Sequence, residues 1–427
     1  MNKKLFLTYI LLLLLSGLSM QSQSIDKELQ PIDYKTYIEL VWKQNLNYAA
    51  EKLNVDIAKA EVKAAKVFND PELAVEYADN DDRTMQMGRS VAVELSKTFS
   101  PGRRSANIHL AESEKELNDA LLDDYFHSLR AEATLAYLET IKQAALFHVK
   151  EDSYHNIKQL AESDSLRFAL GKITKLNVVQ SSLEAGVAYN DLIQARSELY
   201  NAYTSLGLWT GEFNHEILHI PKGTLAVQEH IFDTEQLLQT ALDNRADLEA
   251  AMKNVDVAQK ALKVTKRERN MEFDLALGYN YNTEVRNDIA PAPRFNGVTV
   301  GVAVPLKFSN FNKGAVRAAE YKAKQAEINY RQVELEVQMS VMQSLRDYKS
   351  KLEQVRQYDN GLLSDAKAVL DGKIYSYDRG ETSLLEVLDA QRTYNELHEM
   401  YIETLYNCIA SLIELERNSG IWDITIE

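Results

Sequence analysis

Two stretches of the sequence, 209 residues apart, decide the fold. Residues 380–394 read GETSLLEVLDAQRTY, and residues 171–185 read GKITKLNVVQSSLEA. Each begins with a glycine and runs on into a segment rich in helix-forming residues. Three pairs match at this spacing: Gly171 with Gly380, Leu176 with Leu385, and Val178 with Val387. A match over such a distance predicts that the chain contains one structural unit twice.

Further matches extend the repeat over most of the chain. NVDIAKAEVKAAKVFNDPEL from Asn54 matches NVDVAQKALKVTKRERNMEF from Asn254, and Gly211 matches Gly420. Each copy reads in the same order: a helix of about 30 residues, two β-like segments, a very long helix, a glycine turn and a final helix. We predict a signal peptide over residues 1–22, a first copy over 23–210, a linker over 211–233 that is irregular or short helical, a second copy over 234–420, and a C-terminal tail over 421–427.

The composition favours long helices. The 427 residues include only 16 glycines and 7 prolines. Five apolar positions in the second copy step by four and three residues, which is coiled-coil spacing: Val341, Leu345, Tyr348, Leu352 and Val355. The net charge of −15 disfavours a nucleic-acid partner, which would need a basic surface.

The N-terminus predicts export. Two lysines precede an apolar run from Leu5 to Leu15, which is typical of a secretory signal peptide and too short to span a bilayer as a helix. The only cysteine, Cys408, has no partner for an intrachain disulfide, and we predict that it is a small buried or interface hydrophobic side chain.

The β-like segments alternate between apolar and polar residues. Residues 271–281 and 298–304 do so in the second copy, and residues 72–77 and 91–96 in the first. Alternation with a period of two residues predicts strands with one apolar and one polar face. The lengths of these segments approach those of membrane-spanning strands. Soluble hairpins packed on helices are the alternative.

Four strands cannot close a barrel, and open sheet edges are not tolerated in lipid. If the strands cross a membrane, several chains must share one barrel, and three chains would supply twelve strands. The residues therefore predict a fold class that is mainly α with a small β part, with long coiled-coil helical hairpins and four strands per chain that could cross a membrane.

The chain resembles the TolC-type outer-membrane efflux channel family. YDRGETSLLEVLDAQRTY is similar to the family's Gly-x-x-(Ser/Thr)-x-x-(Asp/Glu)-Val-Leu-Asp-Ala signature, and NDPELAVEY and ELSKTFSPGRR are similar to its heavy-metal branch. The resemblance implies a homotrimer in outer-membrane lipid. Its four transmembrane strands per chain would form a trimeric twelve-stranded β-barrel, and its coiled-coil hairpins would form a periplasmic α-barrel. It also implies two partners, a periplasmic adaptor protein and an inner-membrane pump of the resistance-nodulation-division type.

The resemblance also assigns site residues. The helix-tip turns that an adaptor contacts would contain Gly171, Thr174, Gly380 and Ser383. The periplasmic gate would comprise Tyr377, Glu386 and Asp389, with the uncharged Asn177 and Gln180 at the equivalent places in the first copy. Thr382 stands where some relatives carry an arginine that locks the gate, which departs from the family pattern.

No catalytic or cofactor-binding arrangement stands out, and no metal site is predicted. His215 and His219 have helical i, i+4 spacing, and we interpret them as surface or linker histidines. The resemblance implies a passive exit duct for metal ions or small toxic molecules, and we do not expect an enzyme. Type I protein secretion is the alternative cargo, and a soluble periplasmic coiled-coil scaffold or adaptor is the alternative class of protein.

Overall fold

The computed structural model describes residues 28–84, 86–211, 217–306 and 310–422. The predicted signal peptide, His215 and most of the predicted tail lie outside these residues. The nine helices of the described residues are α1 (Tyr34–Gln44), α2 (Leu46–Ala65), α3 (Arg103–Ala169), α4 (Lys175–Thr210), α5 (Thr234–Asn244), α6 (Ala246–Arg267), α7 (Lys313–Gln357), α8 (Leu363–Asp378) and α9 (Leu384–Ser419). The strands are β1 (Glu28–Ile32), β2 (Glu72–Asp79), β3 (Arg89–Phe99), β4 (Ile217–Pro221), β5 (Phe273–Asn282) and β6 (Phe295–Ala303).

The chain divides into two compact units. Of the described residues, the first unit comprises 28–45, 136–211 and 217–224, and the second comprises 46–84, 86–135, 225–306 and 310–422. Both contain α-helices, and the second also contains a four-stranded sheet. No helix among the described residues combines the length and the apolar character needed to cross a bilayer.

In the first unit, a buried tyrosine joins two short parallel strands. β1 pairs with β4 from Glu28 with Ile217 to Ile32 with Pro221. The hydroxyl of Tyr137, on α3, lies 2.7 Å from the carbonyl oxygen of Lys222 and 3.0 Å from that of Ile32. These hydrogen bonds tie the ends of β1 and β4 to α3, and they give the two backbone carbonyl groups a hydrogen-bond donor.

In the second unit, the coiled-coil positions of the sequence form the core. Val341, Leu345, Tyr348, Leu352 and Val355 are all buried and pack with Cys408, Leu412 and Leu415 of α9. The predicted burial of Cys408 is confirmed, and burial raises the pKa of its thiol to about 11. The core of this unit thus includes a seam between α7 and α9, against which Leu237 and Ala241 of α5 and Leu248 of α6 also pack.

The four-stranded sheet also belongs to the second unit. Its strand order is β2-β3-β5-β6, and every neighbouring pair is antiparallel. The central pairing, of β3 with β5, joins the two sequence copies in one sheet. The predicted alternating segments are therefore strands of a single sheet whose outer edges are β2 and β6.

Three local expectations were wrong. The helix of about 30 residues is broken in each copy, at Asn45 between α1 and α2 and at Arg245 between α5 and α6, where both residues are extended. The second long helix is interrupted by a π-helical segment at Tyr358–Leu362, in which Gly361 has a φ of 114°. The linker contains β4, although it was expected to be irregular or short helical.

Tertiary contacts explain the two helix breaks. The Asn45 side chain donates a hydrogen bond of 3.1 Å to the Trp209 carbonyl oxygen, 164 residues away in sequence. The Arg245 guanidinium donates to the Asn418 carbonyl oxygen at 3.1 Å and to Asp247 at 2.6 Å. At each break, a side chain therefore donates a hydrogen bond to a backbone carbonyl near the end of a helix that is distant in sequence. Helix propensity, which depends on local sequence, does not predict such a contact.

Candidate functional site

One face of the four-stranded sheet is apolar and exposed. Two neighbouring rows cross all four strands in register: Leu73, Leu95, Leu277 and Val300, then Val75, Val93, Tyr279 and Val298. All eight side chains are exposed, with Val300 at 76%. A contiguous apolar surface of this kind marks contact with lipid or with another protein.

The opposite face of the sheet is polar or lined by small residues. Its rows are Glu72, Ser96, Ala276 and Gly301, then Ala74, Glu94, Gly278 and Thr299. The hydroxyl of Thr98 donates a hydrogen bond to Asp274 near one end of this face. The alternation predicted from the sequence therefore yields two chemically distinct faces, as in a strand that separates lipid from water.

The two outer strands of the sheet run in opposite directions. β2 pairs only with β3 and β6 only with β5 among the described strands, so each outer strand has one unpaired edge. Because three antiparallel pairings separate β2 from β6, the β6 edge of one copy can continue the antiparallel pattern with the β2 edge of another. The sheet can therefore be extended by copies of itself.

The two glycine turns have the same backbone conformation and the same pattern of backbone hydrogen bonds. Gly171 follows α3 with a φ of 71°, and Gly380 follows α8 with a φ of 79°. In both, the next N–H group bonds back to a carbonyl five residues earlier: Lys172 to Arg167 and Glu381 to Ser376, each at 2.9 Å. This is the Schellman ending of a helix, and glycine adopts its left-handed residue without strain.

A hydroxyl side chain starts the following helix at both turns. Thr174 caps α4 by accepting from the Asn177 N–H, and Ser383 caps α9 by accepting from the Glu386 N–H. Each cap satisfies one backbone donor of the first helical turn. Thus the four residues predicted for the turns have identifiable local roles, and an adaptor contact remains a prediction.

Both predicted gate acids are paired with cations of their own chain. Lys373, on α8, donates to Glu386 across the turn at 2.5 Å, and Arg392 donates to Asp389 at 2.7 Å. The Lys373 ammonium lowers the pKa of Glu386 to about 2. Both carboxylates are exposed, and each lies beside a cation that partly offsets its negative charge.

The remaining gate candidates differ in exposure. Asn177 and Gln180 are half-buried, and Asn177 belongs to the cap of α4. Tyr377 is only 5% exposed and packs inside the second unit. The sequence motif did not reveal that burial, nor did it reveal the role of Lys373. Positions 373 and 386 are equally distant from the centre of the turn, between residues 379 and 380, so the two helices bring them opposite each other. This spacing could have predicted the Lys373–Glu386 pair from the sequence.

The described residues contain no group of three or more His, Cys, Asp and Glu side chains placed to hold a metal ion. His219 lies within β4, opposite Gln30 of β1. The helical spacing read from His215 and His219 therefore does not apply at His219.

Comparison with known proteins agrees with this geometry. The family model described as Outer membrane efflux protein matches residues 237–420. The chain is 22% identical over 392 residues to the cobalt-zinc-cadmium resistance protein CzcC of Cupriavidus metallidurans, covering 91% of this chain and 90% of that protein. It is 24% identical over 332 residues to the outer membrane protein TolC of Vibrio cholerae, covering 74% and 70%.

Solved structures share the fold. The CusC transmembrane channel superposes with a TM-score of 0.75 at 18% identity, covering 91% of this chain and 92% of that one. The CmeC outer membrane channel of Campylobacter jejuni gives a TM-score of 0.75 at 13% identity, covering 90% and 85%.

The fold, the sheet and the matches together define an outer-membrane efflux channel protein. The chain is similar to outer membrane efflux proteins, and the family match lies in its second copy. The resemblance predicted from the sequence is confirmed, as is the location in the outer membrane with a periplasmic helical part.

Proposed function

We propose that the protein is the passive exit duct of a tripartite efflux system, formed by three copies of the chain. The observation that carries this proposal is the exposed apolar face across all four strands, combined with two unpaired and antiparallel edges. Lipid can cover the apolar face, but the edges need hydrogen-bond partners, which further copies of the same sheet supply. Three copies give a twelve-stranded barrel.

Metal ions are the cargo that we propose, with small toxic molecules as the broader class. CzcC is named as a cobalt-zinc-cadmium resistance protein and matches nearly the whole chain. Exposed carboxylates at Glu386 and Asp389 would line the duct in rings of three and favour cations. An inner-membrane pump of the resistance-nodulation-division type would supply the energy through a periplasmic adaptor, which would grip the turns at Gly171 and Gly380.

Adjacent residues of β6 test the membrane assignment. We expect Val300→Lys, on the apolar face, to prevent insertion into liposomes, because a lysine near mid-membrane on the lipid face costs about 2–4 kcal/mol. Thr299→Lys places the same charge on the polar face and should insert normally. Insertion is measured by flotation with liposomes and by conductance in planar bilayers.

The Thr299→Lys channel should also be less cation-selective, because it adds a positive charge inside the duct. Equal insertion by both lysine variants would contradict the proposal, because neither face of the sheet would then meet lipid.

A further inference from the structure

A cavity of about 600 Å³ lies in the second unit, where β3 ends and α3 begins. This volume is within the range of small-molecule sites. Its lining combines aromatic rings with cations and amides: Phe68, Phe99, Phe273, Lys97, Arg104 and Asn107. The cavity adjoins the end of the apolar sheet face, because Phe99 pairs with Phe273 and their rings stack at 5.5 Å.

Two cations of this cavity have no acidic partner. The Arg104 guanidinium lies 3.9 Å from the centre of the Phe68 ring, and the Lys97 ammonium lies 5.9 Å from it. Neither side chain forms an ion pair with any residue that the structure describes. Arg103, next in the chain, contrasts with them because it donates to Glu272 at 2.8 Å. The cavity therefore carries two positive charges that its own walls do not neutralise.

The position of Lys97 is unusual for a lysine. It pairs with Leu275, which pairs with Val302, so it lies on the apolar face of the sheet, two residues before Phe99. A lysine at the border of an apolar face extends its ammonium towards the headgroup region. Phe68 beside it is 65% exposed. The site thus offers positive charge directly next to an uncovered apolar surface.

We propose that this cavity binds the phosphate of a phospholipid, whose acyl chains lie along the apolar sheet face. Lys97 and Arg104 would contact the phosphate oxygens, because charge-assisted hydrogen bonds are strong where water is partly excluded. A free anion would satisfy the cations but leave Phe68 and Phe99 exposed, whereas a phospholipid covers both. This inference rests on the proposed function, since it requires the sheet to lie in a bilayer.

Lipid retention by the purified full-length protein tests the proposal. Protein in detergent is mixed with phosphatidylglycerol, passed through size-exclusion chromatography, and analysed for lipid bound per chain by mass spectrometry. We expect Lys97→Gln with Arg104→Gln to retain about tenfold less phosphatidylglycerol than the original protein. Lys97→Gln alone should already lower retention, and it disturbs no hydrogen bond of the fold.

The control variant Arg89→Gln with Arg286→Gln removes the same charge near the far end of the sheet and should retain the lipid normally. Equal retention by the control and by the cavity variants would overturn the proposal. So would equal retention of diacylglycerol, which lacks the phosphate, or displacement of the lipid by millimolar inorganic phosphate, which would assign the site to a free anion.

Conductance of the same preparations in planar bilayers separates this inference from the proposed function. Channels that conduct normally, but whose lipid retention does not depend on Lys97 and Arg104, would refute the lipid site alone. A protein that neither inserts nor conducts would refute the proposed function, and the lipid site with it.

Discussion

Glu386 is held by a lysine from the other side of its turn. The Lys373 ammonium keeps the pKa of Glu386 at about 2, against an ordinary value of 4.5. Because the folded-state pKa is the lower one, the pair stabilises the turn above about pH 4.5, and that stabilisation is lost as the pH falls towards 2. Glu386 therefore stays ionised at any physiological pH, and Lys373 decides how much net charge the turn presents.

We predict that Lys373→Gln increases the cation selectivity of the channel roughly twofold at pH 7, because it unmasks one carboxylate per chain while water and salt keep the effect small. The variant should also lose part of this selectivity as the pH falls towards 4.5, since without the Lys373 ammonium the pKa of Glu386 lies closer to its ordinary value. Reversal potentials in planar bilayers under a salt gradient measure both effects.

Glu386→Gln provides the opposing control, since it leaves Lys373 unpaired and should lower cation selectivity. Reversal potentials that stay unchanged in both variants would show that this ion pair lies away from the conduction path.

The helices show which features local sequence encodes. The spacing of Val341, Leu345 and Tyr348 predicted a buried seam, and the seam is buried because an apolar stripe on a long helix requires a partner. The breaks at Asn45 and Arg245 depend on carbonyl groups more than 160 residues away. A local stretch of sequence therefore could not predict them. β1 and β4 are five residues each and, among the described strands, pair with one another across about 190 residues of sequence.

One matched glycine has a packing role that the repeat did not explain. Gly211 ends α4 with a φ of 68°, and a β-carbon there would collide with the carbonyl oxygen of Gln44 at the end of α1. Gly420 ends α9 in the same conformation and lies close to Asn244, at the end of α5. Each copy therefore uses a glycine to bring two helix ends together.

We predict that Gly211→Ala destabilises the protein by about 1–3 kcal/mol, through left-handed strain and this backbone collision. Gly186→Ala is the matched control: it lies within α4 with open space around it, and should be neutral or stabilising by up to about 1 kcal/mol. Thermal unfolding in detergent, followed by circular dichroism, compares the two. Equal melting temperatures for the two variants would rule out the collision.

For the whole molecule, the predicted fold class is confirmed as mainly helical with a small β part, and the trimer stays a proposal. Sequence alternation located the apolar face of each strand, but not the pairing of β3 with β5 that unites the copies. That pairing joins residues about 180 positions apart, and it leaves β2 and β6 as the edges. Assembly therefore depends on the sheet as a whole and not on any single motif.

Disulfide formation between β2 and β6 of neighbouring chains is the most direct test of the shared barrel. Ala74→Cys is combined in turn with Thr299→Cys, Gly301→Cys and Ala303→Cys, so that several registers are sampled. Cys408 can remain, because burial raises the pKa of its thiol to about 11 and keeps it unreactive. Ala74→Cys with Ala276→Cys, which joins β2 to the central strand β5, is the control that should not link chains.

We predict that oxidation of membrane-extracted protein links one β2–β6 combination into species of two and three chains and no larger, because a ring of three leaves no free edge. Chains that stay single in every combination, or a ladder that continues beyond three, would contradict a closed barrel shared by three copies.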